Sequence, residues 1–229
     1  MRYPTSLLVV ASCMAASPAD TGPAAQTPAA AGAARLETTL LLQTLNADLL
    51  SHDSATGTLE RWCTTYRLAS PPRMTAERVP GVDKAPTAEQ LRQLAVTARD
   101  AVRYRRVKLL CGSLVLSEAD NWYVPARLTP QMNYLLDSTD TPFGVAVRSL
   151  HFQRHTISAR VLASLLPAGW ETMSPDRIGE AGEACLPEQL LEHRALLTLP
   201  DGTPFSEVVE TYTSNVLAIP GRRLARCPH

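Results

Sequence analysis

Two charged residues lie inside stretches that are otherwise typical of buried β-strands. Arg106 begins the stretch Arg-Val-Lys-Leu-Leu-Cys, and Glu210 lies within Val-Val-Glu-Thr-Tyr. A buried charge must be paired or must contact a ligand, and an arginine guanidinium suits a carboxylate because it can form two parallel hydrogen bonds. If both side chains face one pocket, they would bind an acid that also has a hydroxyl or ether group. Alternatively, both lie on the solvated face of a sheet.

Other chemistry has little support in the sequence. It contains no Walker loop, no GxGxxG, no HExxH and no CxxC motif, so nucleotide binding and zinc-protease activity are not indicated. His151 and His155 would share one face of a helix and could then bind a metal ion. A strand is equally compatible with this segment and would separate them. We therefore predict no metal site.

The charge balance and hydropathy exclude further classes. The chain of 229 residues has 22 Lys and Arg and 22 Asp and Glu, so its net charge is zero. Such a chain lacks the basic surface of a nucleic-acid-binding protein. No apolar run approaches the roughly 20 residues that a membrane span needs. The expected partner is a small molecule, and we expect a monomer.

The first 19 residues are typical of an export signal. Arg2 is followed by the apolar run Leu-Leu-Val-Val-Ala and then by small residues. Val-Ala-Ser-Cys, ending at Cys13, resembles a bacterial lipobox, whereas Ser-Pro-Ala, ending at Ala19, is a weak alternative cleavage site. An unstructured cytosolic tail is the other alternative. We predict export, as a periplasmic, lipid-anchored or secreted protein, with residues 20–35 as a disordered linker rich in Ala and Pro.

Hydrophobic spacing predicts helices first and hairpins later. Apolar residues at helical spacing predict three helices: one over residues 41–50, a second that begins after Thr87, and a third that begins after Thr129. The apolar face of the second helix consists of Leu91, Leu94, Ala95, Ala98 and Val102. Two hairpins are predicted. The first has strands over residues 106–117 and 122–128 with a turn at 118–121, and the second has strands over 190–199 and 205–214 with a turn at 200–202. Residues 143–150 are a further predicted strand. Residues 167–187 form a predicted long loop. The pattern favours an α+β fold with one antiparallel sheet over residues 36–220, followed by a tail over 221–229.

Four separated stretches then coincide with one known family. Residues 49–56 (Leu-Leu-Ser-His-Asp-Ser-Ala-Thr), 106–111, 141–144 (Thr-Pro-Phe-Gly) and 202–212 resemble, in the same order, the motifs of the chorismate lyase (chorismate pyruvate-lyase) family. The resemblance implies a six-stranded antiparallel sheet covered by helices, with the ligand enclosed beneath helix-turn flaps. It also implies elimination of pyruvate from chorismate, or from a related enolpyruvyl or aromatic acid, to give 4-hydroxybenzoate.

The resemblance further assigns roles to individual residues. Arg106 would bind the ring carboxylate, helped by the backbone N–H groups of Ala55 and Phe143. Glu210 would face the hydroxyl or ether end and act as a proton donor. We also place Gly144 and Arg127 among the ligand-binding residues. Because aromatisation drives such a reaction, no metal or cofactor is needed.

Two features depart from the family. The spacing from Pro204 to Glu210 is one residue longer, so Glu207 could take the place of Glu210, and only one of them can point inward. Chorismate is made in the cytoplasm, whereas this chain has the features of an exported one. A non-catalytic exported binder of a small aromatic acid on the same fold is therefore the alternative function, and an envelope structural protein is a third.

The sequence has five cysteines, of which four remain if Cys13 is lipidated or removed with the signal. Cys111 falls within a core strand of the resembled fold, where a free buried thiol is common. We therefore predict that any disulfide joins Cys185 to Cys63 or to Cys227.

Overall fold

The computed structural model describes residues 27–182, 185–222 and 225–227. The predicted signal segment, Cys13 and residues 20–26 of the predicted linker lie outside the described residues. In the part of the chain that the structure describes, no helix is both long and apolar enough to cross a membrane.

The fold is α+β, with one six-stranded antiparallel sheet in the order β1-β2-β3-β6-β5-β4. This confirms the predicted class. The strands are β1 (Met74–Arg78), β2 (Arg103–Cys111), β3 (Leu114–Tyr123), β4 (Gln153–Val161), β5 (Gln189–Thr198) and β6 (Pro204–Thr213). The helices are α1 (Pro28–Leu50), α2 (Ala55–Thr65), α3 (Ala88–Gln93), α4 (Pro130–Ser138), α5 (Phe143–Ala146) and α6 (Pro175–Glu180).

The helices begin where the sequence supplies a cap. The Thr129 side chain accepts a hydrogen bond from the Met132 N–H and Pro130 follows it, so α4 starts as predicted. Thr87 and Gln90 form the predicted capping box of α3. Helix α3 nevertheless ends at Gln93, well before the predicted apolar face is complete, because Ala95 adopts a left-handed conformation with φ of 49°.

Helix α1 corrects the prediction for the linker. It begins at Pro28 rather than near residue 41, with Thr27 as its N-cap, and it ends at Leu50 as expected. Residues 28–35 are thus helical. Arg35 is buried within them and donates hydrogen bonds of 2.7 Å to the carbonyl oxygens of Leu165 and Ile178. These bonds hold part of the predicted long loop, which contains α6, against α1.

Two glycines allow α1 and α6 to cross closely. A Cβ atom on Gly32 would lie 1.8 Å from the carbonyl oxygen of Pro175, and one on Gly179 would lie 1.9 Å from that of Pro28. Both distances are far shorter than any van der Waals contact, and the obstructing atoms belong to the backbone. The two helices can therefore pack this way only with glycine at both positions.

We expect Gly32→Val to lower the free energy of unfolding by about 3 kcal/mol, because an added side chain must push α6 away from α1. Urea denaturation followed by circular dichroism would measure the change. Gly57→Ala is the matched control, since its Cβ would lie 3.4 Å from the nearest atom. We expect that change to stay within about 1 kcal/mol. A Gly32→Val protein as stable as the wild type would contradict the described crossing.

Two disulfides join distant parts of the chain. Cys185 bonds to Cys227, one of the two partners predicted for it, while Cys63 in α2 bonds to Cys111 at the end of β2. The prediction of a free thiol at Cys111 is wrong. Because α2 was not predicted at all, the approach of Cys63 to β2 could not be inferred from the sequence.

Candidate functional site

A narrow pocket lies between the inner face of the sheet and the first turns of α2 and α5. Its volume is about 40 Å³, on a scale on which one water molecule needs about 10–15 Å³, so it suits a small ligand. The lining combines apolar side chains with a few polar ones: Asp53, Ser54, Ala55, Thr56, Arg105, Val107, Leu109, Ala119, Asn121, Phe143, Gly144, Phe152, Leu197, Val208 and Glu210. Such a lining is typical of small-molecule sites.

The two short helical segments that cover the pocket are fixed by local sequence. Ser54 caps α2, its Oγ accepting a 3.1 Å hydrogen bond from the Gly57 N–H. The first-turn N–H groups of a helix have no partner within the helix and favour negative charge nearby. Gly144 allows α5 to approach α2, since a Cβ there would lie only 3.0 Å from Ser54 Oγ. Ala55, Phe143 and Gly144 thus line the pocket together.

Arg105 is the only lysine or arginine among the described residues that line this pocket, and it lacks a carboxylate partner. The residue is only 6% exposed, and its Nη2 atom donates a 3.1 Å hydrogen bond to the carbonyl oxygen of Thr141. Its Nε and Nη1 atoms are buried without a hydrogen-bond partner in the described residues. Burial lowers the pKa of Arg105 to about 10, so the group still bears its positive charge at neutral pH.

Arg106, the predicted carboxylate-binding residue, does not line the pocket. Its Nη2 atom donates a 2.7 Å hydrogen bond to Glu118 Oε2, and its Nη1 atom lies 3.7 Å from Asp120 Oδ1. Successive side chains of a strand point to opposite faces, and in β2 the residues that line the pocket are Arg105, Val107 and Leu109. Arg106 therefore lies on the opposite face of β2 from the pocket, one position along the strand from Arg105.

Glu210 lines the pocket, whereas Glu207 does not, which settles the alternative left open by the sequence. Glu207 lies on the opposite face of β6, where its Oε1 atom accepts a 2.7 Å hydrogen bond from Arg194 Nε. Glu210 Oε2 is 2.5 Å from Arg154 Nη2 and accepts a 3.1 Å hydrogen bond from the Tyr212 hydroxyl. Arg154 was not predicted as part of the site.

The pair formed by Glu210 and Arg154 is buried and charged. The two side chains are 8% and 4% exposed. Burial by itself lowers the pKa of Arg154, but the Glu210 carboxylate outweighs this effect and the net pKa lies above the usual value. Burial raises the pKa of Tyr212 well above its usual value, which keeps its hydroxyl protonated as a donor to Glu210. In this arrangement the Glu210 carboxylate is a hydrogen-bond acceptor for both Arg154 and Tyr212.

The other predicted polar residues lie elsewhere. Arg127 donates hydrogen bonds to the carbonyl oxygens of Leu94, Ala95 and Pro204, and these bonds hold the end of α3 against β6. Because Arg127 does not line the pocket, it is not placed to bind a ligand there. His155 lies on β4 and its Nε2 atom is 3.0 Å from Thr198 Oγ1. No group of three His, Cys, Asp or Glu side chains in the described ranges is arranged to hold a metal ion.

No family model matches the chain. Among solved structures, it is similar to the effector domain of PhnF from Mycobacterium smegmatis, with 11% identity, a TM-score of 0.47, and coverage of 77% of this chain and 95% of that one. It is also similar to a transcriptional regulator of the GntR family from Bacillus cereus, with 11% identity, a TM-score of 0.36, and coverage of 68% and 98%. These values are too low for either protein's function to be transferred.

The sequence comparison gives a much stronger relationship. The chain is 51% identical over 187 residues to the uncharacterized protein y4mC of Sinorhizobium fredii, covering 81% of this chain and 79% of that protein. At this identity and coverage, the chain belongs to the same protein family as y4mC.

Proposed function

We propose that this protein binds a small organic acid in the pocket between the sheet and helices α2 and α5, with Arg105 as the group that binds the carboxylate. The observation that supports this function is the buried guanidinium of Arg105, which has two nitrogen atoms without a hydrogen-bond partner in the described residues. Burying an unpaired charge is costly. A bound carboxylate would supply both the opposite charge and the missing acceptors.

The rest of the pocket supports a ligand with an apolar body and a second polar group. Val107, Leu109, Phe152 and Leu197 contribute apolar walls. Glu210 lines the pocket and can accept a hydrogen bond from a hydroxyl group of the ligand. The arrangement fits a small aromatic hydroxy acid such as 4-hydroxybenzoate. The narrow volume of about 40 Å³ is the reason to favour a small, flat molecule over a larger one.

Isothermal titration calorimetry with benzoate and 4-hydroxybenzoate tests this function. We expect saturable binding of both acids to the wild-type protein, and weaker binding of the uncharged amides benzamide and 4-hydroxybenzamide, because only the acids can pair with Arg105. Equal affinity for the acids and the amides would contradict the proposal, as would the absence of binding by either acid.

A chorismate lyase-type elimination is the second candidate function, and the placement of Arg105 and Glu210 in one pocket favours it. The contacts of Glu210 oppose its predicted role as a proton donor, because its carboxylate already accepts hydrogen bonds from Arg154 and Tyr212. Incubation with chorismate, with pyruvate release followed by a lactate dehydrogenase-coupled assay, separates the two candidates. Pyruvate formation above the uncatalysed rate would establish the enzyme. Binding of a small acid without pyruvate formation from chorismate would support the non-catalytic binding function instead.

We further propose that the protein acts after export from the cytoplasm. Residues 1–19 have the order of charge, apolar run and small residues typical of a signal. Two disulfides suit an oxidising compartment. Fractionation of cells that produce the full chain would test this proposal, and recovery of the protein with its four bonded cysteines reduced in the cytoplasmic fraction would contradict it.

A further inference from the structure

A second, wider groove lies next to the Arg105 end of the pocket. Its volume is about 410 Å³, and it lies between the ends of β1 and β2, the segment 79–83 and the end of α4. Four arginines but only two aspartates line it: Arg78, Arg103, Arg105 and Arg106, with Asp83 and Asp137. Arg105 lines both the groove and the narrow pocket, so its guanidinium can be approached from either.

Two of these arginines are already neutralised by carboxylates. Arg103 forms an ion pair with Asp137, and Arg106 forms one with Glu118. In contrast, Arg78 and Arg105 donate hydrogen bonds only to main-chain carbonyl oxygens, those of Asp137 and Thr141. Among the described residues, these two guanidinium groups therefore lack an ion-pair partner.

The sheet register places Arg78 and Arg105 close together on the same face. Arg78 in β1 lies directly opposite Val107 in β2, which makes Arg105 its diagonal neighbour. Diagonal neighbours in an antiparallel sheet are about 7–8 Å apart, within reach of long side chains. Consistent with this proximity, the charge of Arg78 adds to the effect of burial in lowering the pKa of Arg105.

We propose that Arg78 and Arg105 form a two-arginine anion site, so that the preferred ligand is an acid with two negative charges. One carboxylate would pair with the buried Arg105 and the other with Arg78 in the open groove. Two neighbouring like charges that form no ion pair within the described residues repel each other, and a dianion would offset that repulsion. This inference rests on the proposed function, because it assumes that Arg105 binds the first carboxylate.

Calorimetry on the full chain with matched pairs of acids tests the two-arginine site. The diacids malonate, succinate, glutarate and adipate are each compared with the monoacid of the same carbon count, namely propionate, butyrate, valerate and hexanoate. We expect at least one diacid to bind about tenfold or more tightly than its monoacid. In Arg78→Gln that ratio should fall below about twofold while monoacid affinity changes little. Arg78→Lys, which keeps the charge, should retain most of the preference.

Arg92→Gln is the control, since Arg92 lies on α3, which packs on β6, and lines neither cavity. It should leave all affinities unchanged. Monoacid binding without any diacid preference in the wild type would overturn the two-arginine site and leave the proposed function standing. A preference for diacids over monoacids that persists in Arg78→Gln would also overturn the two-arginine site and leave the proposed function standing. If neither these acids nor benzoate bind, the proposed function itself fails.

Discussion

Replacing Arg105 with methionine is expected to weaken benzoate binding by roughly 100-fold or more, equivalent to about 3 kcal/mol. The same change should raise the free energy of unfolding by about 1 kcal/mol or more, because it removes a buried charge that has no ion-pair partner in the described residues. Calorimetry would measure the first effect and urea denaturation the second. Loss of binding together with a gain in stability is typical of a side chain retained for function at a cost to the fold.

The adjacent residue supplies the control. Arg106→Met removes the same type of side chain one position along β2, where it pairs with Glu118 and Asp120 outside the pocket. We expect affinity for benzoate to stay within about twofold, because Arg106 does not line the pocket. The free energy of unfolding should also change little, because a partly exposed ion pair contributes little to stability. The reverse pattern, in which Arg106→Met loses binding and Arg105→Met keeps it, would show that the described register of β2 is wrong.

Glu210→Ala should be the most destabilising single change at the site. It leaves the guanidinium of Arg154 buried at 4% side-chain exposure without its partner, and breaking a buried pair in this way costs about 3–5 kcal/mol. The measurement is the free energy of unfolding from urea denaturation at neutral pH. Replacing both residues, as in Arg154→Met with Glu210→Leu, should restore most of the stability, because no unpaired charge then remains in the interior.

A solvent-exposed pair gives the comparison: it joins β4, the strand that also bears Arg154, to the neighbouring strand β5. Arg160 Nη2 lies 2.5 Å from Glu192 Oε1, as close as Arg154 to Glu210, but the Arg160 side chain is 62% exposed. We expect Glu192→Ala to cost less than about 1 kcal/mol. Equal costs for Glu192→Ala and Glu210→Ala would show that burial of the Glu210 pair is not what determines its contribution.

The sequence predicted best those elements whose start or turn is set by neighbouring residues. The hairpin of β5 and β6 formed as predicted because Asp201 and Gly202 supply the turn, with Gly202 at a φ of 86°. The starts of α3 and α4 were predicted for the same reason, since Thr87 and Thr129 cap them through bonds to residues three positions later.

Elements whose form depends on distant contacts were predicted poorly. The turn expected at residues 118–121 lies within β3, and the chain instead reverses at Gly112, with φ of 58°. Glu118 and Asp120 suggested a polar turn because their partners, Arg106 and Lys84, are distant in sequence. Residues 143–150, predicted as a strand, form α5 and a single 3-10 turn, and Phe143 and Gly144 of this segment cover the pocket.

At the site, the residue types were predicted better than the positions. The sequence pointed to one arginine and one glutamate facing a shared pocket, and the structure brings together an arginine of β2 and Glu210. The arginine that lines the pocket could have been identified from alternation alone. Val107, Leu109 and Cys111 mark the buried face of β2, and Arg105 lies on the same face because it is an even number of positions from each of them. Arg154 could not, because β4 is largely exposed and has no apolar alternation.

The bond between Cys63 and Cys111 limits which wall of the pocket can move. It fastens α2 to the strand that bears Arg105, so the distance between these two walls is restrained by a covalent link. Helix α5 has only four residues, and its own residues form no disulfide in the structure. The opening and closing needed to admit a ligand should therefore occur by displacement of α5, with α2 and β2 moving as one body.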